Sequence, residues 1–274
     1  MRIDPQIAAL QRDPAAQRAL GSVIAQARKN WLGHHAVREL LENLHAFGTG
    51  RALADLPDLH DLVSDAKLAD SFVDAWIDAL AEPLRSHPLG EIPFAHSYSH
   101  GLATMRIADS GGTSLSLVCY EEVPPSNPPQ TAFFSDREQY EIVLAGAASG
   151  CTFALAEASE HGQPVCATPQ QWRRGDVIAV RPNVETREVL QVERRFVVLR
   201  LERTPANPAP GRVIALGDGS LLRQVSGSKR ASQLEMAVTV LGAMGRKDAL
   251  PAICAIAHDG PAHLRWEALR HALA

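Results

Sequence analysis

The sequence predicts a mixed α and β chain, an all-β centre held between helical regions at the N- and C-termini. Three observations predict it. An Ala/Leu-rich first zone, poor in β-branched residues, repeats its apolar residues at helical spacing. A middle zone breaks into short alternating runs separated by Gly- and Pro-rich turns, with no helix-length segment between them. After Gly227 the helical pattern returns. The divisions are 1–88 helical, 89–217 β, and 228–274 helical.

In the first zone, apolar residues recur with a helical period between Ile7 and Ala27, and again in HHAVRELLENLHAFG, which stops at Gly48 and Gly50. A third helix is predicted over DLHDLVSDAKLADSFVDAWIDALAEPL, with Phe72, Trp76 and Leu80 at four-residue intervals and Pro83 and Pro88 closing the zone. The middle zone supplies LATMRIA, TSLSLVCYEE, YEIVLAG, CTFALAEA, DVIAV, TREVLQVE and RFVVLRLE, split by SGG, PPSNPP, GAASG, HGQP and RPN. Strands of this length and spacing argue for a sandwich or barrel and against a parallel α/β sheet. The last zone holds three pieces of similar length, SKRASQLEMAVTVLGAMG, KDALPAICAIAHDG and PAHLRWEALRHALA. Their Gly-containing turns and small apolar residues weakly resemble HEAT-type helical hairpins. The chain stops inside the last helical pattern with no polar cap. Either a helical array continues past residue 274 in the natural protein or its partner, or this helix packs on the β domain.

Composition narrows the function classes. With 274 residues, 46% of them hydrophobic, the chain can bury a full core, in two domains by its length. A formal charge of −4 and the absence of any Lys/Arg run exclude a global basic field, so nucleic acid is not an expected partner. No run reaches the roughly 18 apolar residues of a spanning helix, and MRIDPQIAAL lacks the apolar core of a signal peptide. The expectation is a cytoplasmic protein that does not engage a membrane. Cys119, Cys151, Cys166 and Cys254 have no CxxC spacing, which disfavours both zinc and a disulfide framework. There is no GxSxG, GxGxxG, P-loop or HExxH motif.

The histidine-rich stretch HSYSHG, 96–101, offers its own chemistry. On a strand, His96, Tyr98 and His100 share one face, with the two histidines about 13 Å apart along the backbone. A turn or bulge near Ser99 would bring them together. Three readings follow: hydrogen-bonded histidines at the mouth of the β domain, ligand contacts on its inner wall beside Tyr120, and a non-standard metal site using His96 and His100. In QWRRGD, Trp172 stands beside Arg173 and Arg174, a cation–π pair or polar turn.

The β zone resembles the cupin family, a small double-stranded β-helix or jelly roll, on two stretches. The family's first motif places His-x-His, then Glu, then Gly seven residues after the Glu. Anchored on Gly146, its Glu position falls on Gln139 and its histidine positions on Phe133 and Ser135. A one-residue slip puts Glu138 in the carboxylate position and Ala132 and Phe134 in the others. The second motif is met by GDVIAVRPNVETR, with Gly175 and Pro182 kept, Val184 where a Gly is expected, Arg187 at the histidine position, and Gln191 near the closing Asn. The resemblance implies the fold and argues against the usual metal site. Phenylalanine cannot ligate, a glutamine amide is a weak substitute for a carboxylate, and a guanidinium repels a divalent cation. Strand periodicity puts Glu141 on the face of Gln139, where it is the nearest inward carboxylate for Arg187. Either the two form an ion pair, or Arg187 anchors a small organic anion with Gln139 assisting.

The resemblance therefore implies a metal-free or non-catalytic cupin-like domain that binds a small anionic molecule in a sensory or regulatory role, without a cofactor, the flanking helices supporting a homodimer. The alternatives are a metal-dependent cupin-type oxygenase or isomerase holding Fe(II), Mn, Ni or Zn on relocated histidines, and a scaffold that uses its helices for protein contacts. The candidate ligand-binding set is His96, Tyr98, His100, Tyr120, Gln139, Glu141 and Arg187.

Overall fold

A computed structural model describes residues 13–87, 92–123, 128–157, 163–260 and 262–273. Residues 7–12 of the first helical pattern, part of PPSNPP and His161 of the HGQP loop lie outside them. The N-terminal region forms helices α1 (Pro14–Gly33), α2 (His35–Gly48), α3 (Pro57–Leu62) and α4 (Ala66–Ser86). Asp13 caps α1 by accepting from Ala15 N at 2.8 Å, and Asp65 caps α4 through Lys67 N at 2.8 Å. That second cap divides the segment predicted as one helix into α3 and α4. Pro83 does not close the zone, because α4 runs one turn past it to Ser86.

Ten strands follow: β1 (His96–Ser99), β2 (Leu102–Ser110), β3 (Thr113–Val123), β4 (Thr131–Phe134), β5 (Glu138–Leu155), β6 (Val165–Arg173), β7 (Val177–Val180), β8 (Glu185–Arg203), β9 (Gly211–Ala215) and β10 (Leu221–Val225). Seven form one antiparallel sheet in the order β1-β2-β3-β8-β5-β6, with β7 paired to β5, and β10-β9-β4 make a second. Among the described residues the larger sheet does not close into a barrel. Helices α5 (Lys229–Ala243), α6 (Leu250–Asp259) and α7 (Ala262–Leu273) complete the chain.

One predicted separator lies inside a strand, and two predicted strands fuse into one. GAASG does not part YEIVLAG from CTFALAEA, and TREVLQVE runs on into RFVVLRLE, so β5 and β8 are 18 and 19 residues long. The glycines act as bulges rather than turns: the β5–β8 register shifts between Val143 and Ala145, Gly146 and Ala148, and Ser149 and Gly150. TAFF, VCATPQQWR, GRVIA and LLRQV are strands that the alternation did not announce, and β10 lies past the predicted boundary at residue 217.

Partners across an antiparallel pair share a face, so the register sorts the sheet's side chains. One face carries Leu115, Ile142, Leu199 and Leu201, which pack with Leu44 and Phe47 of α2, Leu59 of α3 and Trp76 of α4 in the largest core. The other carries Val118, Val143, Phe196 and Val198, which cluster with Trp172 of β6 and with Ile178 and Val180 of β7. Arg203, the last residue of β8, ties the helices to the sheet. Its Nη1 donates to Phe47 O at 3.0 Å and Arg51 O at 2.9 Å, beyond the end of α2, while its Nη2 pairs with Glu138. Glu138 also accepts from Tyr140 Oη at 2.7 Å.

Two outcomes are expected. At Gly146 (φ 78°) an added Cβ would lie 1.8 Å from Arg195 O, whereas at Gly175 (φ 90°) it would meet nothing within 4 Å. Gly175→Ala therefore costs about 1 kcal/mol of conformational strain, and Gly146→Ala costs distinctly more, about 3 kcal/mol, because backbone must move as well. Denaturant midpoints test the difference. Burial, with the Glu138 hydrogen bond, pushes the Tyr140 hydroxyl up to about 12. A group raised in the folded state contributes stability below its unfolded value, near 10, that is lost as pH rises through the folded value. Stability falls between pH 10 and 12, and Tyr140→Phe removes that part of the alkaline loss.

Candidate functional site: a carboxylate between two buried arginines

On the face of the sheet turned away from the helices, Glu141 is fully buried. The register places it directly across from Arg200 of β8, which lies across from Ser116 of β3. Arg200 Nε donates to Glu141 Oε1 at 2.5 Å, and its Nη2 donates to Tyr120 Oη at 2.9 Å. Gln139, two residues along β5, donates from Nε2 to the same Oε1 at 2.9 Å. Arg187 approaches from the opposite end of β8, its Nη2 forming an ion pair with Glu141 Oε2. Its side chain is only 4% exposed.

The long strands make this convergence possible. Arg187 pairs with Thr152 near the end of β5, and Glu141 lies near its beginning, so the bulged β5–β8 ribbon must bend for the two to meet. Trp172, across from Ala148 on the neighbouring strand, spreads over the gap. The Arg187 guanidinium lies 5.2 Å from the Trp172 ring centroid and 5.7 Å from that of Tyr120, so aromatic surfaces flank the cation. Gly150 leaves room for this arrangement: a Cβ there would meet Glu188 O at 2.0 Å and the Trp172 ring at 2.9 Å.

Two guanidinium groups face the Glu141 carboxylate, and Glu202, across from Gln139, adds a more distant second carboxylate on the same face. Burial works against the charge of Arg200, yet the Glu141 carboxylate, then Tyr120 and Glu202, more than offset it and raise its pKa above the ordinary arginine value. Arg187 is less well served. Its Nη2 meets Oε2 in an ion pair not aligned as a hydrogen bond, and among the described residues its Nε has no hydrogen-bond acceptor. A buried donor without an acceptor costs roughly 1–3 kcal/mol, and more when charged.

The structure thus brings together Tyr120, Gln139, Glu141 and Arg187 and separates them from the histidine stretch. His96 pairs with Met105, which pairs with Leu117, and that row belongs to the helix-facing side of the sheet. Of the three readings, the inner-wall one does not fit His96 and Tyr98: one register step decides the face, and theirs is opposite to that of Tyr120. His96 Nδ1 is 2.9 Å from Phe94 O, and Tyr98 donates to Glu121 at 2.7 Å. His100 leaves the strand altogether, at φ 49° in the turn before β2. Among the described residues no three His, Cys, Asp or Glu side chains gather as a metal would need.

Two members of the cluster escaped the sequence. Arg200 sits in an alternating run whose partner strand cannot be read from the run itself. Trp172 is buried against Arg187, whereas adjacency pointed to Arg173 and Arg174.

Glu141→Gln tests the cluster's energetics. It leaves two buried cations without a counter-charge and is expected to destabilise by about 3–5 kcal/mol in denaturant melts. The double variant Glu141→Gln/Arg187→Met removes one of those cations and should recover part of the loss, a coupling that a double-mutant cycle reads directly.

No protein-family model matches the chain, and no curated protein does. Solved structures give distant likenesses. The Drosophila melanogaster CENP-C cupin domain is 10% identical, over 40% of this chain and 71% of that one, with a TM-score of 0.30. A putative mannose-6-phosphate isomerase from Ralstonia eutropha is 13% identical, over 41% and 92%, at 0.28. Oxalate decarboxylase from Bacillus subtilis is 9% identical, over 42% and 28%, at 0.30.

Proposed function

We propose that the chain is a non-catalytic, metal-free cupin-like module whose jelly-roll centre binds a small organic anion at Arg187. The observation that carries this reading is the nearly buried guanidinium of Arg187, whose Nη2 is paired with Glu141 while its Nε has no acceptor among the described residues. Its Nε and Nη2 lie along one edge of the planar fork, the edge that receives a carboxylate through two parallel hydrogen bonds. Trp172 and Tyr120 flank the guanidinium and favour approach in its plane. Glu141, already held by Arg200 and Gln139 through Oε1, keeps its counter-charge role when Arg187 turns to a ligand. Nothing in the cluster resembles a nucleophile and base in register, so binding, in a sensory or regulatory role, is the better account.

The relocated-histidine metal site has less support. His96 and His100 lie apart from the buried cluster, and no third ligating side chain joins them among the described residues.

Calorimetric titration with a panel of small mono- and dicarboxylates, with inorganic phosphate as comparison, tests the proposal. At least one carboxylate is expected to bind and raise the melting temperature, with Arg187→Met lowering its affinity by tenfold or more, about 1.4 kcal/mol. Binding that survives Arg187→Met, or stoichiometric iron, manganese, nickel or zinc in protein purified without a tag, would overturn it.

A further inference from the structure

The C-terminal helices carry apolar surface that their own fold does not use. Met236, Val240 and Met244 recur every four residues along α5 and the residue just beyond it, a single stripe on one side of the helix. They are 61%, 55% and 62% exposed. The inward side of the unit is small, built on Val238 of α5, Ile253 of α6, and Leu264 and Ala268 of α7. A unit of this size buries too little to stand well alone, and apolar surface left in a row marks a contact.

The N-terminal helices offer the complement. Between α2, α3 and α4 runs a groove of about 320 Å³. Leu40, Leu62, Leu68 and Phe72 line it, with Leu68 half exposed, and Glu39, Asp58 and Asp61 stand around them. Charge distinguishes the two surfaces further. Residues 35–86 hold ten Asp/Glu against four Lys/Arg, whereas residues 229–248 hold four Lys/Arg against two Asp/Glu. Arg230 and Lys247, both exposed, lie at either end of the stripe.

We propose that the Met236–Val240–Met244 stripe of one copy docks in the acidic, apolar groove of a second copy. The fit is apolar side chains into an apolar floor, with basic residues at the ends of the stripe meeting carboxylates at the rim. Each chain carries both surfaces, and the proposed contact forms twice about a two-fold axis and so closes as a dimer. A contact made only head to tail would instead grow into a filament, which light scattering would show as mass rising beyond a dimer. This inference is independent of the anion reading, and Arg187→Met is expected to leave the association unchanged.

The test is light scattering on the full chain across micromolar concentrations, with circular dichroism to confirm the fold of each variant. Wild-type protein is expected to dimerise, and less so as salt screens the rim. Val240→Glu should weaken the dimer by tenfold or more. A charge exchange gives the sharper result. Asp58→Lys/Asp61→Lys makes groove and stripe both basic, and Arg230→Glu/Lys247→Glu makes both acidic, so each variant alone should be monomeric. Mixed together, they restore opposite charges at both contacts and should form a heterodimer. A monomeric wild type, a dimer indifferent to Val240→Glu, or a mixture that stays monomeric would each overturn the proposal.

Discussion

A single buried carboxylate organises the sheet's interior. Glu141 has no exposure to water, so its charge must be met from within, and two arginines from one strand meet it. The desolvation of three ionised groups is a large cost that Coulomb attraction offsets only with good geometry. Arg200 has that geometry, lying directly across the ladder with its Nη2 on the Tyr120 hydroxyl. Arg187 reaches the same carboxylate only because the strands bend. The bulges of β5, Gly150 beneath Trp172, and the aromatic flanks of the guanidinium all serve one requirement. A cation with incomplete hydrogen bonding must be brought to an anion that is already engaged.

The other face of the sheet solves a simpler problem by packing apolar residues against the helices. Polar chemistry enters there through Arg203, whose guanidinium lies over Phe47 at 4.2 Å and reaches the carbonyl of Phe47 in the last turn of α2 and that of Arg51 just beyond it. The division follows from period two: Arg200 and Leu201 are neighbours in sequence and belong to different cores.

Much of this was legible in the residues, with a definite limit. Alternation and turn chemistry located the β zone, the same period put Gln139 and Glu141 on one face, and the cupin resemblance brought Arg187 to that face, with an ion pair to Glu141 as one of two readings. The structure contains that ion pair. What the residues could not show was register. GAASG carries the composition of a turn, yet Gly146 supplies a bulge and the strand continues. The same ignorance left the face of His96 and Tyr98 open, since a four-residue strand has no preferred face until its partner is known. Arg200 was missed for that reason as well: it is a cross-strand neighbour of Glu141, 59 residues away in sequence.

The packing of α1–α4 against β8 also sets an order in time. Trp76 and Leu80 are made early, but the sheet residues they share a core with include Leu199 and Leu201. At common synthesis rates, the roughly 120 residues between Leu80 and Leu201 keep the helices waiting on the order of 10 s. Throughout that interval their apolar face lacks its permanent cover. The nascent chain is therefore most exposed to misassociation, and to chaperones, after its first third has emerged and before its eighth strand has.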